Sequence, residues 1–303
     1  MAAVGAAEPD NDSGRRPARA PRPTLTPHPR PANFMSHSTQ WRTWYEADHL
    51  SLQAVRGDRK CVTAASRQDG PMTKIIALNY EGTELAWLQA GLTRPMDDGQ
   101  TPVSDRVPAG FAAYLRVFHR FEAADSSGRT RTWRALAQEA RVPFHAETCE
   151  RSLPLDTGVD GEPLWVTDPD QPDAATREAL VRCLDAATGD QPVFFAYDSM
   201  AVLWGVQAPL IRRSTLAGLD DVRRSVAAEV CDMPGPEFWW PHDRSWVVTS
   251  DMVSTYVGCS AEVAERILGD EEIEALPVTP RTRVDCSADA ANHRLRHAEG
   301  QDV

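Results

Sequence analysis

The residues best equipped for chemistry stand in one short run, Trp239-Trp240-Pro241-His242-Asp243-Arg244. Adjacent indoles bring large flat apolar walls and one N–H each. An imidazole, a carboxylate and a guanidinium in succession supply an acid–base group and a fork for holding anions. Beside a fixed proline, the two tryptophans can form a stacking wall on which Asp243 and Arg244 orient a ligand. The same run can instead anchor a core, with one indole inward, the other half covered, and Asp243 and Arg244 pairing or capping a turn. Asp251 and Tyr256, further along the segment, carry the same two readings.

Other chemical signatures are fragmentary. His145-Ala146-Glu147 matches the H-x-E half of a zinc deaminase site, but the P-C-x-x-C half is missing. His145 and Cys149 have the spacing of two zinc ligands on a helix, yet they follow Pro143 and lack two further ligands. No metal and no cofactor is expected. Neither G-x-S-x-G nor either of the glycine-rich phosphate loops occurs. His119 closes a predicted strand and reads as a strand-end residue or a pairing group.

The elements that must position these groups follow from periodicity and caps. Arg244–Ser250 is rich in β-branched and aromatic residues and predicts a strand starting after Pro241, with Trp246 and Val248 on one face and Val247 and Thr249 on the other. Gly258 then reads as a turn before a helix over Ala261–Leu268, capped by Ser260, stopped by Gly269, with Val263, Ile267 and Leu268 inward. Upstream, helices are predicted over Thr83–Gly91, from Thr132 through Ala140, over Asp173–Thr188 and over Leu219–Val230. Strands are predicted over Pro192–Tyr197, Val202–Val206 and Glu274–Val278, and Lys74–Leu78 reads as a short strand or as the lead-in to the helix over Thr83–Gly91. Phe111–Phe118 fits strand or helix on period alone. Thr93–Val107 reads as a linker, and Val142–Pro172 as a long loop with one short strand.

The run Phe238-Trp239-Trp240-Pro241-His242-Asp243-Arg244-Ser245-Trp246, followed by Ser250-Asp251 and Thr255-Tyr256-Val257-Gly258, resembles a segment of a group of proteins from high-GC actinobacteria. Ala113–His119 with Trp133 resembles the start of the same domain, so the likeness covers roughly residues 100 to 285. It implies architecture only, favouring a strand at Phe111–Phe118, and it transfers no catalytic residue.

Charge narrows the partners. The chain of 303 residues carries a net charge of −12. Residues 1–71 hold ten basic against seven acidic side chains, leaving 22 against 37 for the remainder. A body this acidic repels a phosphate backbone, and the pairs Arg212-Arg213 and Arg223-Arg224 read as solvated faces beside acidic neighbours. Nucleic acid is not an expected partner. No apolar run reaches the length of a membrane span. The six scattered cysteines, with no C-x-x-C, fit reduced thiols in the cytoplasm.

The first 34 residues are Ala-, Pro- and Arg-rich and cannot bury enough apolar surface to order themselves. Residues 1–71 are therefore expected to be a disordered arm or an over-extended translation, with Met72 as the native start. Residues 72–285 should form one α+β domain with a mixed sheet and several packed helices, and 286–303 a flexible tail. The function expected is that of a non-enzymatic cytosolic module binding a protein or a small molecule. The alternative is a hydrolase or transferase using His242, Asp243 and Arg244. The oligomeric state is left open.

Overall fold

The computed structural model describes residues 74–78, 83–93, 100–125, 127–153, 155, 164–167, 171–197, 202, 209–229 and 235–298. All belong to one compact unit, Thr63–Val303. The expectations for residues 1–71 lie outside the described residues.

An eight-stranded sheet runs through this unit. In chain order its strands are β1 (Ile76–Leu78), β2 (Ala113–Phe118), β6 (Val193–Tyr197), β7 (Leu210–Ser214), β8 (Phe238–Pro241), β9 (Val247–Ser250), β10 (Ser254–Cys259) and β11 (Ala275–Val278). Their spatial order is β1-β7-β6-β8-β9-β10-β2-β11. A second sheet joins β4 (Thr130–Arg131), β3 (Phe121–Ala123) and β5 (Trp165–Thr167). The α+β class holds. Every described pairing is antiparallel, where a mixed sheet was expected.

Helices cover the large sheet on both sides. Leu115, Val117, Phe195, Trp239, Val248 and Val257 face a core shared with α3 (Ala174–Thr188), α4 (Leu219–Glu229) and α5 (Ala261–Gly269). Tyr114, Phe194, Ile211, Trp240, Val247 and Tyr256 face the opposite core, closed by Leu85 and Leu88 of α1 (Thr83–Gly91). Burying a leucine stabilises by about 1.5–3 kcal/mol, so two fully buried leucines suffice to dock that short helix. A third cluster, Phe118, Phe121, Trp133, Leu136 and Trp165, joins the small sheet to α2 (Trp133–Glu139). Among the described residues no helix is long and apolar enough to cross a membrane.

Caps fix the helix starts. Thr132, Asp173 and Ser260 accept the N–H of Ala135, Thr176 and Val263. Glu274 adds a non-local cap, accepting the N–H groups of Trp133 at 2.7 Å and Arg134 at 2.9 Å. Burial pushes its carboxyl above the ordinary range, and those two hydrogen bonds only partly offset the rise. Beside it β11 forms the last strand of the sheet. Phe118 N–H donates to Glu274 O, so Ala275 and Pro277 turn their backbone groups away from β2.

Several expectations change. The strand predicted after Pro241 is there as β9, and Pro241 itself ends a further strand, β8, whose last residue tolerates the missing N–H. Thr93–Val107 is no linker where it is described: Val103 and Val107 are fully buried, and Val103 N–H bonds Thr282 O. Val202 is helical, the rest of the strand predicted over 202–206 lies outside the described residues, and the described strand that pairs with β6 opposite β8 is β7. Leu268 faces solvent. Residues 286–298 are not a tail: α6 (Ala290–Ala298) follows a folded turn, with Asp289 and Asn292 buried.

Gly258 lies inside β10, not in a turn. A Cβ there would stand 2.5 Å from the Phe111 ring and 2.6 Å from a Val107 methyl, so only glycine lets that loop close on the strand. Gly258→Ala is expected to cost about 1–3 kcal/mol in urea unfolding, as overpacking does. Gly269→Ala, with nothing near its added methyl, should cost nothing.

Asp285 yields a pH dependence. Burial opposes its ionisation, yet Arg283, Ser287 and the Thr101 N–H hold its carboxyl at about 2, below the ordinary 3.8. Because the folded value is depressed, its stabilisation is complete above pH 3.8 and disappears as pH falls toward about 2. Asp285→Asn should flatten the acid limb of the unfolding midpoint in that window.

Candidate functional site

The aromatic run is divided by the pleat. Trp239 packs on the α3 side, edge-on to Trp246 at 5.7 Å, while Trp240 packs on the α1 side, stacked on Phe194 at 5.7 Å. The two indoles therefore cannot share one wall. His242, Asp243 and Arg244 occupy the exposed β8–β9 turn. His242 stacks on Phe194, and Arg244 lies over the Trp87 ring at 5.3 Å. Asp243 accepts the Ser245 N–H at 2.9 Å; burial opposes its ionisation, but bonds from Gln191 and Ser245 prevail and lower its carboxyl. Arg244 has φ 60°, the left-handed residue that closes a short hairpin loop.

Asp251 and Tyr256 lie at the other end of these strands and belong together. Asp251 pairs with Arg106 at 2.8 Å, and burial pushes up the Tyr256 hydroxyl, with Arg116 opposing. Arg116, on the same face, is buried and donates to Ser254 Oγ and to the carbonyls of Ala146 and Thr148. Of the seven residues singled out in sequence, Trp239 lines a small cavity.

That small cavity, about 10 Å³ and partly open to solvent, would have to widen to admit more than a water-sized group. Gln171 and Pro172 line it from the segment before α3 and Arg177 from its first turn, Leu219 and Arg223 from α4, Pro236 from the turn before β8, and Trp239 and Ser250 from β8 and β9. Arg223 Nη2 donates to Gln171 Oε1 at 2.7 Å and Nη1 to Asp220 at 3.3 Å. Arg177 Nε is buried and forms a long ion pair of 3.4 Å with the same Asp220 carboxylate, without the geometry of a hydrogen bond. Burial first, and the like charge of Arg223 second, lower the Arg177 pKa, with Asp220 and Glu178 offsetting part. Gly235 lets the backbone close in, since a Cβ there would meet Gln171 Oε1 at 2.5 Å.

A hydroxyl chain leads from the cavity into the sheet. Ser250 Oγ meets Thr255 Oγ1 at 3.0 Å, which meets His119 Nε2 at 2.9 Å, all three buried. The direction of this chain follows the His119 tautomer, a proton on Nε2 making His119 the donor to Thr255. Tyr197 ends β6 within electrostatic reach of Arg223 and Arg212; its hydroxyl is buried, has no hydrogen-bond partner, and burial raises its pKa. Arg212, expected in a solvated pair, is 5% exposed and bonds Glu229.

A wider depression of about 400 Å³ lies between α3 and α5, open to solvent. Its charges are spoken for: Arg182 pairs with Asp270, and Arg266 with Glu262. Glu147, of the H-x-E triplet, accepts the Arg283 N–H, and no three metal-ligating side chains converge among the described residues. Sequence reasoning missed Gln171, Arg177, Tyr197, Arg223 and Ser250 because they come from separate elements. The one available signal was the basic pair at 223–224. No family model, curated protein or solved structure matches the chain.

Trp239→Ala is expected to cost about 3–5 kcal/mol, as loss of a buried indole does. His242→Ala should stay within about 0.5 kcal/mol. Chemical unfolding of both variants separates anchor from ornament.

Proposed function

We propose that this chain is a non-enzymatic module that binds a small ligand through an anionic group, a carboxylate or a phosphate. The observation that carries the reading is a pair of buried donors lacking hydrogen-bond partners, Arg177 Nε and the Tyr197 hydroxyl, each within reach of the Arg223 charge. A buried polar group left unsatisfied costs about 1–3 kcal/mol, and an anion taken up beside the Arg223 charge would offer such a donor an acceptor. Trp239 supplies an apolar wall, Gln171 orients Arg223, and Ser250 offers a hydroxyl set by the chain to His119. An arginine fork is suited to either anion, since both present paired oxygens. The free thiols of Cys149, Cys183, Cys259 and Cys286 fit a cytosolic setting.

The test is a thermal-shift titration at constant ionic strength, with inorganic phosphate in one arm, citrate in another and chloride as control. The melting temperature should rise with phosphate or citrate, and at a hundredfold excess over Kd the gain corresponds to about 2.7 kcal/mol. The arm that responds names the anion class. Arg177→Ala should abolish the rise. Tyr197→Phe should weaken it while stabilising the ligand-free protein by about 1–3 kcal/mol, because it deletes an unsatisfied hydroxyl. Equal responses in all three arms would end the proposal.

A further inference from the structure

Away from the cavity, the loop before a short helical turn (Glu150–Ser152) meets the C-terminal segment, and nucleophilic and titratable side chains gather there. Cys149 Sγ lies 3.2 Å from the carbonyl oxygen of Cys286, 3.3 Å from Ser152 Oγ and 4.0 Å from His293 Nε2. The buried Asp289 carboxylate takes His145 Nε2 at 2.9 Å and Asn292 Nδ2 at 2.7 Å. Asn292 Nδ2 also reaches the Pro143 carbonyl at 3.0 Å. His145 Nδ1 accepts the Glu147 N–H, which assigns the ring proton to Nε2 as the donor to Asp289. These bonds fasten the start of α6 to the 143–152 loop, so the two cysteines are held beside each other by the fold around them.

Their exposures differ. Cys149 is buried and Cys286 is exposed. A carbonyl oxygen lies about 2.4 Å from its own Cα. The Cys149 sulfur is therefore no more than about 5.6 Å from the Cys286 Cα, and joining the two sulfurs takes a rotation of the exposed Cys286 side chain with a small shift of its backbone.

We propose that Cys149 and Cys286 form a reversible disulfide when the protein meets an oxidised low-molecular-weight thiol, with glutathione disulfide as the probe. The accessible Cys286 thiolate attacks one sulfur of glutathione disulfide, forming a mixed disulfide and expelling one glutathione thiolate. Cys149 then gives its proton to His293 Nε2 and attacks the Cys286 sulfur, breaking the mixed bond and releasing the second glutathione. Two protein thiols are oxidised and one glutathione disulfide is reduced to two glutathiones. The product staples α6 to the loop that carries His145.

The full chain, incubated with glutathione disulfide and mapped by peptide mass spectrometry without reduction, should yield one cross-linked pair of peptides containing Cys149 and Cys286, and reduction should restore both thiols. Cys286→Ser should lose the cross-link. Cys149→Ser should instead keep glutathione on Cys286, because nothing resolves it. His293→Ala should form the same cross-link more slowly, and an unchanged rate would overturn the assignment of the proton to His293. A wild-type protein that retains both thiols, retains glutathione on Cys286, or pairs either cysteine elsewhere overturns the disulfide.

Discussion

The large sheet is covered on both faces, and that single constraint governs the rest of the molecule. In a sheet with one wet face, every second residue may be polar at no cost. Here each side chain of the central strands enters one of two cores, so any polar group among them must find a partner inside the protein. Arg116, Ser250, Ser254, Thr255 and His119 are all buried in or beside β2, β9 and β10, and they meet one another or backbone carbonyls. His119, Thr255 and Ser250 form a polar strip on the α3 face, Arg116 and Ser254 lie on the opposite one, and the small cavity opens beside Ser250.

Local chemistry explains why much of the fold was legible in the sequence. Thr132, Asp173 and Ser260 each precede an apolar period of helical spacing, and each caps a helix where the pattern put it. The alternation from Trp246 to Thr249 assigned those side chains to the correct faces. What misled was information without local expression. Glycine at 258 looks like a turn until Phe111 and Val107 are seen pressing against it. The polar composition after Asp285 looks frayed, because nothing nearby in sequence reveals that Asp289 and Asn292 reach back to His145 and Pro143.

The candidate site was less legible for the same reason. Arg177, Arg223 and Ser250 meet only because two helices and a strand are stacked, and no short spacing encodes that meeting. The tryptophan pair attracted attention through adjacency, yet adjacency in a strand means opposite sides. Half of the conspicuous cluster therefore belongs to each core, and the charged triplet after it serves a hairpin. Trp239 reaches the cleft through the one neighbour relation that sequence does not show, its position across from β6 and β9.

The outer strand β11 carries a last implication. Its outward-facing backbone positions are Ala275 and Pro277, and proline has no hydrogen to offer. A foreign strand approaching this border would find only one donor among these positions, too few to seed an extended ladder. The same four residues that finish the sheet thus discourage neighbouring molecules from continuing it, a safeguard against aggregation written into a single ring-closed residue.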